Sequence, residues 1–291
     1  MESIDTYAEK IRAEVEERLG DGCSVMIQKV TKNNGIVLTG LTVKKDDEAV
    51  APTIYLDGFY EDGREDAADE IVGIYEKTPS FPGDAGSISR FDDVSGRICY
   101  KLVNTAKNED MLKGMPHRDY MDLSAVYFIS LEMGGQMGSV AVTDAIAGMW
   151  GKTEQELWDL AFENTQRLFP ARIKKLSEVI GSLTGTDEAD LPLDAPMYVA
   201  TNEKCLNGAG VIFYDDILTQ LTDRLGETIY ILPSSVHEVI AIPDRGTPET
   251  EILAGMVKEI NRTTVDPKEV LSDSVYRYER GGSIEAAGGG E

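Results

Sequence analysis

The densest concentration of groups able to do chemistry is Pro233-Ser234-Ser235-Val236-His237-Glu238, where one of only two histidines meets two hydroxyls and a carboxylate. Alternate residues of an extended segment share a face, so Ser235 and His237 have the spacing at which an imidazole activates a hydroxyl. Ser234, Ser235, His237 and Glu238 are therefore the candidate catalytic residues of a small hydrolase. The competing reading is turn structure. No Gly-x-Ser-x-Gly elbow surrounds the serines, and Pro-Ser-Ser is ordinary turn chemistry. The other histidine, His117, lies between Pro116 and Arg118; it is a candidate too, set against a structural hydrogen bond in a loop. A Cys205 and His237 thiol pair requires the fold to join them.

Other chemistries fail on spacing. A second zinc histidine after His237-Glu238 would fall at position 241, which is Ala. Cys23, Cys99 and Cys205 form no pair with metal spacing. With Gly63 at the turn of a calcium loop, the first and third ligands would be Gly58 and Tyr60, which carry no carboxylate. The glycines at 134, 135 and 138 lack a following Gly-Lys-Ser/Thr, and Gly208-Ala209-Gly210 meets Phe at 213, so phosphate-loop and dinucleotide fingerprints are incomplete. No cofactor and no metal site is expected.

The candidate turn must be held by the apolar runs Ile229–Leu232 and Val239–Ile242, which read as two buried strands. Upstream, Ile4, Tyr7, Ala8, Ile11, Val15 and Leu19 recur at helical steps, predicting a helix over 3–19 stopped by Gly20. Strands at 25–30 and 36–43 join through Asn33-Asn34-Gly35, a hairpin signal. A third strand follows Pro52, and a helix spans about 65–76. Strands at 97–103, 120–132, 139–142, 197–200 and 275–278 are expected, with a loop at 78–86. So are helices at 104–111, 143–150, 215–225 and 248–260. Thr153 with Glu156 is a capping box opening another helix, which runs to Pro170. Residues 177–196 read as a long exposed connection and 281–291 as a disordered tail without an apolar anchor. The fold class is α+β, with largely antiparallel sheets and flanking helices in two subdomains, 1–115 and 116–280.

The 291 residues carry 52 acidic against 28 basic side chains, a formal charge of −24. Such a balance argues against gripping a phosphate backbone, which needs clustered Lys and Arg. It serves solubility, or docking to a basic partner. No apolar run nears the ~20 residues that span a bilayer, and no basic, apolar leader is present, so a cytoplasmic protein with reduced, buried cysteines is expected.

Lys32-Asn33-Asn34-Gly35, Pro52-Thr53-Ile54-Tyr55-Leu56, Pro116-His117-Arg118, Leu168-Phe169-Pro170, Leu232 to Ile240 and Leu271-Ser272-Asp273 together resemble an uncharacterised domain-of-unknown-function family, number 5688, of gut Gram-positive anaerobes. The resemblance covers all but the tail and implies no activity, cofactor or partner. Two functions are carried forward: an acidic interaction or regulatory protein that binds a protein partner, and the hydrolase built on 233–238. The sequence leaves the oligomeric state open.

Overall fold

The computed structural model describes residues 2–45, 53–77, 86–133, 136–186, 196–233, 235–245 and 249–289. Pro52, residues 78–85 of the expected loop 78–86, Gly134 and Gly135, the stretch 187–195, Ser234 and Pro248 lie outside them. The chain is α+β and divides into two units, Met1–Val94 with Ser130–Ser139, and Ser95–Ile129 with Val140–Glu291. The boundary expected near 115 falls inside the second unit. The cause is sheet pairing, because the strand at 98–104 is bonded to one at 123–133, across that boundary.

In the first unit, α1 (Ile4–Leu19) starts at Ser3, whose hydroxyl accepts from the Thr6 N–H at 3.2 Å, and ends at Gly20 with φ of 67°. Tyr7, Ala8, Ile11 and Val15 are its buried face. It packs on an antiparallel sheet of β1 (Cys23–Thr31), β2 (Val37–Lys45) and β3 (Thr53–Tyr55) in that order. The hairpin turn holds Asn34 at φ 60° and Gly35 at φ 71°, the left-handed values that Asn-Gly tolerates. Short helix α2 (Asp57–Glu61) and α3 (Ala67–Lys77) complete the core around Leu41, Leu56 and Ile71. The short α4 (Gly86–Ser89) and α5 (Phe91–Val94) follow. Truncating a fully buried residue such as Ile11 to Ala would cost about 2–5 kcal/mol.

The second unit contains β4 (Ile98–Asn104), α6 (Glu109–Leu112), β5 (His117–Tyr120) and most of β6 (Leu123–Met133), with sheet order β4-β6-β5; β7 (Gln136–Ala141) also pairs with β6. After α7 (Asp144–Trp150), α8 (Glu154–Leu168) opens on the expected capping box. There the Thr153 N–H, chiefly, and Lys152 push the Glu156 carboxyl down to about 2. Polar groups dock α8 onto β4: Asn164 donates to the carbonyls of Ser95 and Ile98, and the Tyr100 N–H donates to Thr165 Oγ1 at 3.0 Å.

The larger sheet runs β13-β12-β10-β11-β9-β8, with every pairing antiparallel. Its strands are β8 (Ala171–Lys175), β9 (Tyr198–Asn202), β10 (Thr228–Leu232), β11 (Val239–Pro243), β12 (Val275–Glu279) and β13 (Ile284–Gly288). Helices α9 (Leu176–Thr184), α10 (Ile217–Leu225) and α11 (Thr250–Thr263) accompany it. Leu253, Ala254 and Val257 of α11 pack against Ile242 and Val275.

Three expectations are corrected. The tail expected to be disordered supplies β13, because an edge strand needs only backbone pairing with β12 and no apolar anchor. Residues 177–184 of the expected connection are helical, in α9, with Leu176, Val179, Ile180 and Leu183 at helical spacing despite Gly181. Cys99 is buried and Cys23 partly so, but Cys205 is exposed, carried outward on a tight loop with φ of 51°.

Candidate functional site

The turn between β10 and β11 is clasped from several sides. Thr201 Oγ1 donates to the His237 carbonyl at 2.7 Å, and the Ala209 N–H donates to the Val236 carbonyl at 3.1 Å. The Val236 N–H donates to the Glu269 carbonyl at 2.8 Å, and Ser235 forms a β-bridge with Val270. Gly208 is required beneath it, since a Cβ there would lie 2.4 Å from the His237 carbonyl oxygen and 2.2 Å from Thr201 Oγ1.

Within this clasp the candidate residues do not form a nucleophile and base. Ser235 is buried, and its hydroxyl accepts the backbone N–H of His237 at 3.0 Å instead of meeting the ring. The ring accepts the Asn207 N–H on Nδ1 at 3.2 Å, which puts the hydrogen of the neutral imidazole on Nε2. Nε2 faces Glu269 Oε1 at 3.6 Å. Glu269, 32 positions along the chain, was missed by sequence reasoning, and the half-buried Glu238 is not the carboxylate beside the ring. Ser234 lies outside the described residues. With Asn207 on one nitrogen and Glu269 before the other, the Cys205 thiol is not the ring's partner; Arg172 Nη2 approaches its sulfur at 3.5 Å.

His117 sits on β5 in the other sheet. Its Nδ1–H donates to the Met115 carbonyl at 2.8 Å, and Nε2 stands 3.8 Å from Asp119 Oδ1. The loop position expected for it is a strand end instead, while its ring does bond to the backbone. Among the described residues no group of three or more His, Cys, Asp or Glu side chains is placed to hold a metal ion.

More polar and aromatic chemistry gathers along one face of α8, away from the candidate turn. Glu154, Trp158 and Phe162 follow one another at four-residue steps along α8, so they share a face. Arg118 makes a bidentate pair with Glu154 at 3.0 and 2.8 Å, and its guanidinium lies 4.9 Å from the Trp158 ring centroid. Tyr127 donates its hydroxyl to the same carboxylate. Burial, chiefly, and Glu154 raise the Tyr127 phenol well above its ordinary range. The aromatic series continues from Trp158 to Tyr120 at 5.6 Å and from Tyr120 to Phe213 at 4.4 Å.

Beyond Tyr120 the surface opens into a cavity of about 450 Å³. Tyr120, Met121, Phe213, Tyr214, Asp216 and Tyr278 contribute to its wall. Met121 and Asp216 adopt left-handed φ values of 57° and 64°. A larger hollow of about 770 Å³ lies beside α11, with Asp122, Lys107, Lys258 and Asp273 on its wall. Asp122 receives hydrogen bonds from Ser272 at 2.5 Å, Ser274 at 3.1 Å and Tyr276 at 2.5 Å, so its carboxylate ties β12 to the β5–β6 turn. Burial first, then Asp122, raises the Tyr276 phenol.

Residues 4–280 match a family of unknown function, DUF5688. The chain belongs to that family. Comparison with curated proteins and with solved structures returns no match. DUF5688 membership brings no reaction with it, so any functional argument rests on this geometry. The cavity walls come from residues 120–121, 212–219 and 278–284, three separate connections. No sequence motif marks the cavity, because Tyr120, Phe213, Tyr214 and Tyr278 come from stretches far apart in the chain.

Proposed function

We propose that this protein acts in the cytoplasm by binding a basic protein partner through its acidic surface. The observation that carries the reading is how the chain's own cations are engaged. Arg12, Arg18, Arg64, Arg118, Arg262 and Arg280 are each ion-paired with carboxylates of the chain. With 52 acidic against 28 basic residues, such pairing leaves a surplus of carboxylates that only solvent ions or a partner can balance. A field of one sign steers an oppositely charged partner and suppresses like-charged ones.

Exposed Ile252, Met256 and Ile260, at four-residue steps on α11, add an apolar ridge of the kind proteins offer to other proteins. No helix among the described residues is long and apolar enough to cross a membrane. The hydrolase alternative draws less support, because Ser235 and the ring of His237 each have other partners.

The test is affinity capture from the native host's extract, eluted by a salt gradient. A basic protein should be retained at low salt and released as ionic strength approaches 0.15 M, where the Debye length is ~8 Å. Retention indifferent to salt would contradict the electrostatic reading. Ester or amide turnover lost in Ser235→Ala would replace it with the hydrolase.

A further inference from the structure

We infer that the cavity walled by Tyr120, Phe213, Tyr214, Tyr278 and Asp216 receives the guanidinium of an arginine side chain from the protein partner. The inference rests on the reading of a basic partner and names what one of its side chains does. Its first support is an occupied counterpart in the same molecule. Arg118 is held by the Trp158 ring face and the Glu154 carboxylate, and Tyr120, two residues on along β5, packs against Trp158 and stands beside the same guanidinium. Tyr120 then meets Phe213, so the aromatic series that shelters Arg118 continues into the cavity wall. The described cavity lining repeats the ingredients of the Arg118 site, aromatic residues and one carboxylate, and holds no Lys or Arg of its own.

The second support is the state of Asp216. Among the described residues it is the only charged one on the cavity wall. It occupies the N-cap position of α10, yet its side chain makes no capping bond and its backbone is left-handed. No described residue forms an ion pair with it. The arginines on the adjoining surface are engaged elsewhere, Arg277 by Glu279 and Arg280 by Asp223 and Glu227. One negative charge beside aromatic rings attracts a cation through both the carboxylate and the ring quadrupoles. Arginine fits better than lysine, because a flat, weakly hydrated guanidinium stacks on rings while presenting a fork of donors to a carboxylate.

The experiment uses the full chain labelled at its methionine methyl groups. Met121, 39% exposed on the cavity wall, is the reporter and is assigned with Met121→Leu. Capped Gly-Arg-Gly, Gly-citrulline-Gly and Gly-Lys-Gly are titrated at 0.15 M salt. The arginine peptide should shift the Met121 methyl saturably, and the uncharged citrulline isostere should bind about 10-fold more weakly. Asp216→Asn, which keeps a residue tolerant of left-handed φ, should lose a similar factor at an unchanged melting temperature. No shift with the arginine peptide, equal binding of citrulline or lysine, or full affinity in Asp216→Asn would each overturn the assignment. Because long-range attraction is screened at this salt and each peptide carries at most one charge, such a failure leaves the salt-gradient capture result intact.

Discussion

The turn at 233–238 and the cavity at Tyr120 are both built from connections of the second unit, and they treat their polar groups in opposite ways. At the turn, Ser235 Oγ, the Val236 and His237 carbonyls and His237 Nδ1 all have partners within the chain. At the cavity, Asp216 is exposed on a wall shared with Tyr120 and Phe213, and no described residue forms an ion pair with it. Satisfied buried groups make a rigid joint, whereas an unpartnered carboxylate against aromatic faces is a surface prepared for something else. A cluster rich in reactive residue types is therefore not by itself a reactive site. Who bonds to whom decides it.

The comparison is broken most forcefully at Gly208. Its missing Cβ lets the backbone pass under the turn, and the neighbours it would strike include the His237 carbonyl and the Asn202 N–H, which cannot move aside as a side-chain tip can. Gly208→Ala should cost about 3 kcal/mol or more, read from urea unfolding. A variant of ordinary stability would mean the clasp is looser than described.

The cysteines repeat the contrast of closed and open. Burial pushes the Cys99 thiol from about 9 up to about 11, while Cys205 is exposed. Thiol reagents should therefore label Cys205 quickly and Cys99 only after unfolding. The sign of the pH effect follows from the raised folded value. The unfolded chain releases the Cys99 proton first, so its contribution is complete below about pH 9 and is lost as pH rises to about 11, a change on the order of 2 kcal/mol. In Cys99→Ala the alkaline loss should shrink accordingly; an unaltered profile would assign it to the buried tyrosines.

The smallest expected effect is at the cavity. Asp216→Asn removes a charge that contributes no capping bond, so stability should change by less than about 0.5 kcal/mol. A larger loss would show that Asp216 serves the fold, and would erase the difference between the two regions.

How much of this was legible in sequence follows from how local each signal is. The periodicity of Ile4 to Leu19, the Asn34-Gly35 turn and the Thr153 and Glu156 box each act within a few residues, and each element formed where it was read. The apolar runs flanking the candidate turn paired as expected, Leu232 opposite Ile240. Strand β8, Ala-Arg-Ile-Lys-Lys, showed no apolar run, since its conformation comes from pairing with β9. Strand β13 is set the same way by β12. Glu269 reaches His237 only through the bridge between Ser235 and Val270, and the cavity joins three distant connections. Neither has a local trace.

The central claim is that the histidine turn is architecture, and His237→Ala tests it most directly. Removing the ring strands the Asn207 N–H that Nδ1 now accepts, so urea unfolding should report a loss of about 1–2 kcal/mol. The same variant should bind the arginine peptide as tightly as the wild type. A His237→Ala protein with undiminished stability would contradict the account, because a ring whose removal costs the fold nothing is not there to hold it.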